Sequence, residues 1–238
     1  MTGAPVTGNG GGAAVGVAVP AAGLGRRMGG VRKQYLELAG EPVLLWSIRP
    51  FLELTDVVAV TVALPEDDLI EPPDFLVDLD PRVILVPGGE TRRDSVWSAL
   101  QALPGNIATV VVHDGARPLV SKEVIHECIR VAREGLGAVA GSPAVDTLKR
   151  VRKDRHIVDT PNRTDLWHAQ TPQAFPRSML EHAYERAMHE GWSATDDSGL
   201  VERAGGQVVM VSSPVSNLKV TRPEDLALAR LLMDLGSR

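Results

Sequence analysis

The segment Pro20-Ala21-Ala22-Gly23-Leu24-Gly25-Arg26-Arg27-Met28 concentrates residue types suited to binding an anion. Small residues let a backbone approach a ligand closely. Successive exposed N–H groups in such a loop form a concave anion site. Arg26 and Arg27 close the loop, and Arg32-Lys33 come shortly after. Amides beside fixed cations are what neutralising a triphosphate requires. Two commoner nucleotide motifs do not fit. A dinucleotide fingerprint needs G-x-G-x-x-G, whereas this loop has Gly23-x-Gly25-x-x-x-Gly29, and the G-K-[ST] of a P-loop is missing. A Gly-rich turn by itself is also compatible with a merely structural bend. The basic cluster beside it favours the functional reading.

The elements that would position this loop follow from the apolar patterning. Val15 to Ala21, Val57 to Leu64, Arg82 to Val86, Ala108 to His113, Ala138 to Gly141 and Gln207 to Val211 are short apolar runs that predict strands. Pro42 to Leu54, Thr91 to Leu103, Ser121 to Arg133, Arg177 to Glu190 and Arg222 to Leu235 have helical patterning, with Ser121 as an N-cap. Continuous Val-rich strands alternating with helices predict an α/β fold: one Rossmann-like domain with a mostly parallel sheet covered on both faces. Ligands on such sheets bind beyond the carboxyl ends of the strands. Val145 to Thr160 breaks the pattern with two short alternating runs around Lys153-Asp154-Arg155. This predicts a β-hairpin arm protruding from the main sheet. A lone hairpin is marginal in water, so it must pack on something, and a second subunit is the natural candidate.

A chain of 238 residues fits one large α/β domain, taken here as 15–238, with an arm at about 142–165 and a Gly-rich flexible tail at 1–14. Hydrophobic residues make up 44% and aromatics only 4%, so the core must be built mainly from Val, Leu, Ile and Ala. The net charge of -5 argues against general nucleic-acid binding, though not against a local basic pocket. The one cysteine, Cys128, has no partner for an intrachain disulfide and lies in a helical apolar pattern, as a buried small hydrophobe would. No run approaches the ~18 apolar residues of a membrane span. The tail lacks the basic region of a secretion signal, so a cytoplasmic location is expected.

Further along the chain come Gly88-Gly89-x-x-Arg92-x-x-Ser95-Val96, His113-Asp114-x-Ala116-Arg117-Pro118 and Asp146-Thr147-x-Lys149. They are followed by Arg163, Leu166-Trp167-x-x-x-Thr171-Pro172-Gln173, Thr195-Asp196-Asp197 and Lys219-Val220-Thr221. With the first loop and Lys33-Gln34-Tyr35, this ordered set resembles the 2-C-methyl-D-erythritol 4-phosphate cytidylyltransferase family of the non-mevalonate isoprenoid route, from Val15 to Leu235. The resemblance implies transfer of CMP from CTP to methylerythritol phosphate with release of pyrophosphate. It implies a magnesium ion held mainly through the CTP phosphates, with no dedicated cage of protein ligands. It also implies a homodimer with exchanged arms. In that pattern Arg27, Lys33, Arg163 and Lys219 are the catalytic cations. Pro20, Ala21, Ala22, Gly23, Gly25, Gly88, Gly89 and Ser95 hold the nucleotide. Asp114, Arg117, Thr147 and Thr195 hold the second substrate.

Each residue also has a plainer reading. Ser95 suits polar decoration of a helix, Asp114-Gly115 a turn, and Thr195-Asp196-Asp197 a helix N-terminus. His113 and His168 are expected to be packed and hydrogen-bonded rather than catalytic. Arg152, Lys153 and Arg155 are expected to be solvated hairpin charges. Arg32 stands where the family commonly has proline, and Glu90 where some members have aspartate. Ribitol 5-phosphate is the alternative acceptor. A sugar-1-phosphate enzyme using UTP or GTP is disfavoured by the G-G-x-x-R-x-x-S stretch. A non-catalytic nucleotide sensor is disfavoured by the presence of both Arg27 and Lys33.

Overall fold

The computed structural model describes residues 13–23 and 32–236. Most of the predicted tail, together with Gly25 and Arg27, lies outside the described residues. In chain order come β1 (Val15–Pro20), β2 (Glu37–Leu38), β3 (Glu41–Pro42), α1 (Val43–Leu52), β4 (Val57–Leu64) and α2 (Asp67–Ile70). Then follow β5 (Val83–Pro87), α3 (Arg92–Gln101), β6 (Thr109–Val112), α4 (Lys122–Arg133) and β7 (Gly137–Pro143). The chain continues through β8 (Arg150–Val151), β9 (Ile157–Asp159), β10 (Trp167–Pro176), α5 (Arg177–His189), α6 (Asp197–Arg203), β11 (Val208–Ser212) and α7 (Pro223–Gly236).

Seven strands form one sheet in the order β11-β7-β10-β6-β1-β4-β5. All neighbours are parallel except β10, which runs antiparallel to both β6 and β7. The alternation within β1 explains the two helical layers. Val15, Val17 and Val19 face α1 and α4, packing with Leu44, Ile48, Phe51, Ile125 and Cys128. The small residues face the other way: a Cβ on Gly16 would lie 2.9 Å from methyls of Leu103 and Ile107. That face packs on α3, α5 and α6 through Leu100, Leu180, Tyr184 and Leu200. Cys128 is buried as expected, and burial pushes its thiol up to about 12, so it is inert at neutral pH.

From β1 the chain steps outward to β4 and β5, then crosses back to β6 on the other side of β1. This reversal is where an open α/β sheet leaves a crevice at its carboxyl edge. The predicted hairpin is present as β8 paired with β9, an excursion between the paired strands β7 and β10. Its Val151, Ile157 and Val158 are more than half exposed, and Arg152, Lys153 and Arg155 are exposed as expected. Among the described residues no helix is long and apolar enough to cross a membrane.

Candidate active site

Four loops following parallel strands meet around a cavity of about 690 Å³. After β1, Pro20 to Gly23 form one wall. After β4 come Pro65, Glu66 and Asp67, after β5 Gly88 to Thr91, and after β6 Asp114 to Ala116. Arg32, Lys33, Gln34, Arg92, Ser95 and Lys219 complete the lining. Glycine is required at the crossing of two loops. A Cβ on Gly88 would stand 2.1 Å from Ala22 Cβ and 3.1 Å from Leu64 O. The Gly88 N–H donates to that same carbonyl at 2.7 Å, so the loop extends the β4–β5 ladder. Ser95 Oγ accepts from Gly89 N–H at 3.1 Å and donates to Thr91 O at 3.0 Å, which fixes the glycine loop over the start of α3. Thr91 and Asp94 form a reciprocal capping box at the same turn. Gln34 Nε2 donates to Ala21 O at 2.7 Å, tying the turn that carries Lys33 to the end of β1.

The opposite wall is electrostatic. Asp114 is 6% exposed. Its carboxylate accepts from Arg92 Nε at 3.0 Å and Lys219 Nζ at 2.7 Å, with Arg117 Nε at 3.6 Å. Burial alone would push this carboxyl up. The coulombic pull of Arg92, Lys219 and Arg117 outweighs burial and holds it far below the usual carboxylate range. Arg92 is itself braced: Nη2 donates to Asp197 Oδ2 at 2.8 Å, and Tyr184 OH donates to Asp197 Oδ1 at 2.5 Å. Asp197 is 1% exposed.

His113 is packed and hydrogen-bonded, as expected. Thr171 Oγ1 accepts from Asp114 N–H at 3.0 Å, so its own hydrogen goes to His113 Nδ1 at 3.1 Å. Nε2 then carries the proton and donates to Arg117 O at 3.1 Å. Burial lowers the pKa of His113 to about 4, so it stays neutral at physiological pH. His168 departs from expectation. It lies on β10 opposite Ser142, and the strand's exposed end leaves it facing solvent.

Of the residues singled out from the sequence, Pro20, Ala21, Ala22, Gly23, Lys33, Gly88, Gly89, Ser95, Asp114 and Lys219 line this one cavity. Arg117 stands behind Asp114 and donates to Asn217 O at 2.8 Å. Thr147, Arg163 and Thr195 are exposed and do not line it. Arg163 sits at the base of the arm and donates to Val145 O. Thr195 precedes the helix cap, which is Asp196, accepting from Gly199 N–H at 3.1 Å. The sequence pointed to no role for Arg92 or Gln34 and only to a helix N-terminus for Asp197, although all three stand inside the motifs quoted above. Tyr184 and Asp68 carried no signal. Among the described residues no group of three or more His, Cys, Asp or Glu is placed to hold a metal ion.

The arrangement suits a polyanionic ligand lying across the loop of β1, with its other end toward Asp114 and Lys219. Comparison with known proteins gives this geometry a family. The family model for 2-C-methyl-D-erythritol 4-phosphate cytidylyltransferase matches residues 15–235. The enzyme of that name from Symbiobacterium thermophilum is 42% identical over 226 residues, covering 94% of each chain. That from Synechocystis is 38% identical over 226 residues, covering 92% of this chain and 96% of the relative. The crystal structure of 4-diphosphocytidyl-2C-methyl-D-erythritol synthase from Anaerococcus prevotii superposes with a TM-score of 0.83 at 29% identity, covering 93% of this chain and 96% of the other. The cytidylyltransferase from Thermus thermophilus gives 0.77 at 31% identity, covering 92% and 98%.

Proposed function

The chain belongs to the 2-C-methyl-D-erythritol 4-phosphate cytidylyltransferase family, and from that premise we propose how its cavity carries out the reaction. The enzyme transfers CMP from CTP to methylerythritol phosphate, giving a cytidine-diphospho sugar alcohol and pyrophosphate. The alternative acceptor, ribitol 5-phosphate, finds no support among the relatives named above. The observation that carries the mechanism is the meeting of four strand-end loops and the cations Lys33 and Lys219 around one cavity.

An acceptor phosphate oxygen attacks the α-phosphorus of CTP, and the bond from that phosphorus to the pyrophosphate oxygen breaks. The attacking phosphate is already an anion at neutral pH, so no general base is needed. The barrier is repulsion between anions and charge growing at the α-phosphate, which cations and amide donors offset. Lys33 stabilises that charge from the β1 side, with the backbone of Ala21 to Gly23 beside it. Arg27 shares this role on the strength of the resemblance alone. Gly88, Gly89 and main-chain groups near Ala21 and Ala22 receive the cytosine, with Ser95 holding the glycine loop in place. Asp114 stays ionised beside Lys219 and accepts from substrate hydroxyls, while Lys219 aims the acceptor phosphate. A magnesium ion would be held mainly through the CTP phosphates and would supply positive charge to offset that of the triphosphate. The exposed carboxylates of Glu66 and Asp67 line the same cavity, and such hard oxygen donors suit the ion's water shell. The cytoplasm is the compartment we assign.

The test is pyrophosphate release with each of four nucleotides and both acceptors. CTP with methylerythritol phosphate should be the productive pair. UTP should fall on the order of 100-fold lower in kcat/KM, because uracil presents an acceptor where cytosine presents an amino donor. Comparable values for CTP and UTP would remove the glycine loop from base recognition. Equal turnover of ribitol phosphate would overturn the acceptor assignment.

Our reading of the arm is a symmetric dimer in which each subunit completes its partner's site. It is supported by the exposed Val151, Ile157 and Val158. A second support is the position of Thr147 and Arg163 away from the cavity of their own chain. Lys33→Ala and Arg163→Ala then disable different chains of one composite site. Mixing the two inactive proteins with subunit exchange should restore up to about a quarter of wild-type activity. Half the dimers are mixed, and each of these has one intact site of two. A monomer in sedimentation at assay concentration, or an inactive mixture after proven exchange, refutes the shared site.

A further inference from the structure

Arg32 lines the cavity next to Lys33, yet its role in the pocket is not set by the mechanism above. Its Nη1 is paired with Asp68 Oδ1. Among the described residues this is the one hydrogen bond of its side chain, although a guanidinium carries five N–H donors in a fixed fork. The Arg32 side chain is 30% exposed, and the residue lines the cavity. Asp68 is a buried residue immediately after the lining residues Glu66 and Asp67. Its second oxygen, Oδ2, accepts from Tyr35 OH at 2.5 Å. Tyr35 in turn stands edge-on to Phe75, with ring centroids 5.7 Å apart. Burial, then the bond to Asp68, pushes the Tyr35 phenol up, so it remains a protonated donor at neutral pH.

We propose that Arg32 is a further phosphate-binding cation of the nucleotide pocket, held in its binding pose by Asp68 and Tyr35, and that this trio makes the pocket sensitive to the length of the nucleotide's phosphate chain. The inference rests on the reading of the cavity as the CTP site. Two observations support it. A buried carboxylate with both oxygens engaged is a fixed anchor, so the long arginine side chain is ordered before ligand arrives. The anchor also takes up only one edge of the fork, which leaves donors for phosphate oxygens and offsets repulsion between Arg32 and neighbouring Lys33 while the pocket is empty. A cation on this wall, next to Lys33, meets the phosphate chain and not the base, which belongs to the Gly88–Gly89 side.

The test is calorimetric titration of the full chain with CTP, CDP and CMP in magnesium buffer. Thermal melts of each variant check folding. Arg32→Ala should weaken CTP about tenfold and leave CMP within about twofold, the loss expected of one charge-assisted phosphate contact. Arg32→Lys should recover part of that loss. Asp68→Asn should weaken CTP about threefold, again sparing CMP. Tyr35→Phe keeps the carboxylate charge and should act in the same direction. Equal losses for CTP and CMP in Arg32→Ala would mean a structural role and overturn the proposal, as would unchanged CTP affinity. Unchanged or tighter CTP binding by Asp68→Asn would overturn the positioning by Asp68. A wild-type protein that binds none of the three nucleotides would refute the pocket assignment itself, and the inference with it. A wild-type protein that binds CTP while Arg32→Ala matches it would refute the inference alone.

Discussion

Replacing Lys33 by alanine is expected to lower kcat at saturating substrates by ~100-fold or more while leaving the fold intact. The expectation follows from where the side chain starts and what it must do. Lys33 opens a 3₁₀ turn, Lys33–Tyr35, and it lines the cavity. The next residue, Gln34, is 2% exposed and bound to Ala21 O at 2.7 Å. That bond fixes the turn to the end of β1, so Lys33 is presented from a firm base. A cation offset by charge that grows only at the transition state is worth on the order of 3 kcal/mol, and its loss appears in kcat rather than in KM. Lys33→Arg keeps the charge and changes its shape from a compact ammonium to a planar fork, so it should recover activity only in part. Steady-state kinetics with both substrates varied makes the check. A variant retaining more than about half of kcat would remove Lys33 from this role.

The sequence was most legible where one residue type has one use. Runs such as VVAVTVAL at 57–64 fit only a strand buried on both faces. The glycines at 88 and 89 mark a place where no Cβ fits. β10 was not legible. WHAQTPQAFP has no clean alternation, and its pairing with β7 shifts register between Ala169 and Gln173, around Pro172. Proline and polar residues there argue against a central strand when read locally. It is held in the sheet by partners on both sides, which local patterning does not encode. The same limit applied to the site. Residues that would touch a ligand sit in loops and advertise themselves through glycine and charge. The residues bracing them do not. Arg92 and Asp197 are 105 positions apart in sequence and meet only in the fold. Asp196 and Asp197 look alike in sequence, yet one caps α6 and the other is the buried partner of Arg92. The reading of His168 as a packed residue failed for a related reason. A histidine is most often packed and hydrogen-bonded, but the outer end of β10 leaves this one exposed.

The Arg92 brace leads to the second large effect, this time on stability. Arg92→Ala leaves Asp197, 1% exposed, with Tyr184 as its remaining side-chain donor, and leaves Asp114 with Lys219 and the more distant Arg117. Removing one partner of a buried ion pair strands a charge away from water, which commonly costs 3–5 kcal/mol. The Arg92 side chain is 29% exposed, so solvent reaches part of the pair and the lower end, about 3 kcal/mol at pH 7, is expected. Acid should shrink this difference. In the wild-type protein the folded Asp114 stays ionised far below the usual carboxylate range. An unfolded aspartate takes up its proton near pH ~4. Below that pH the unfolded state binds more protons than the folded one, so wild-type stability falls as pH falls. Without Arg92 the strongest pull lowering the Asp114 pKa is gone. The variant's folded carboxyl then titrates closer to the unfolded one, and its stability has less of this term left to lose. Urea unfolding at pH 7, 5 and 3.5 should therefore give curves for the two proteins that converge on acidification. A constant gap across that range would show that the cost of Arg92→Ala is lost packing and not lost charge. A double-mutant cycle with Asp197→Asn separates the two partners. If Arg92 stabilises mainly through Asp197, the second substitution should cost far less in the Arg92→Ala background than in the wild-type protein.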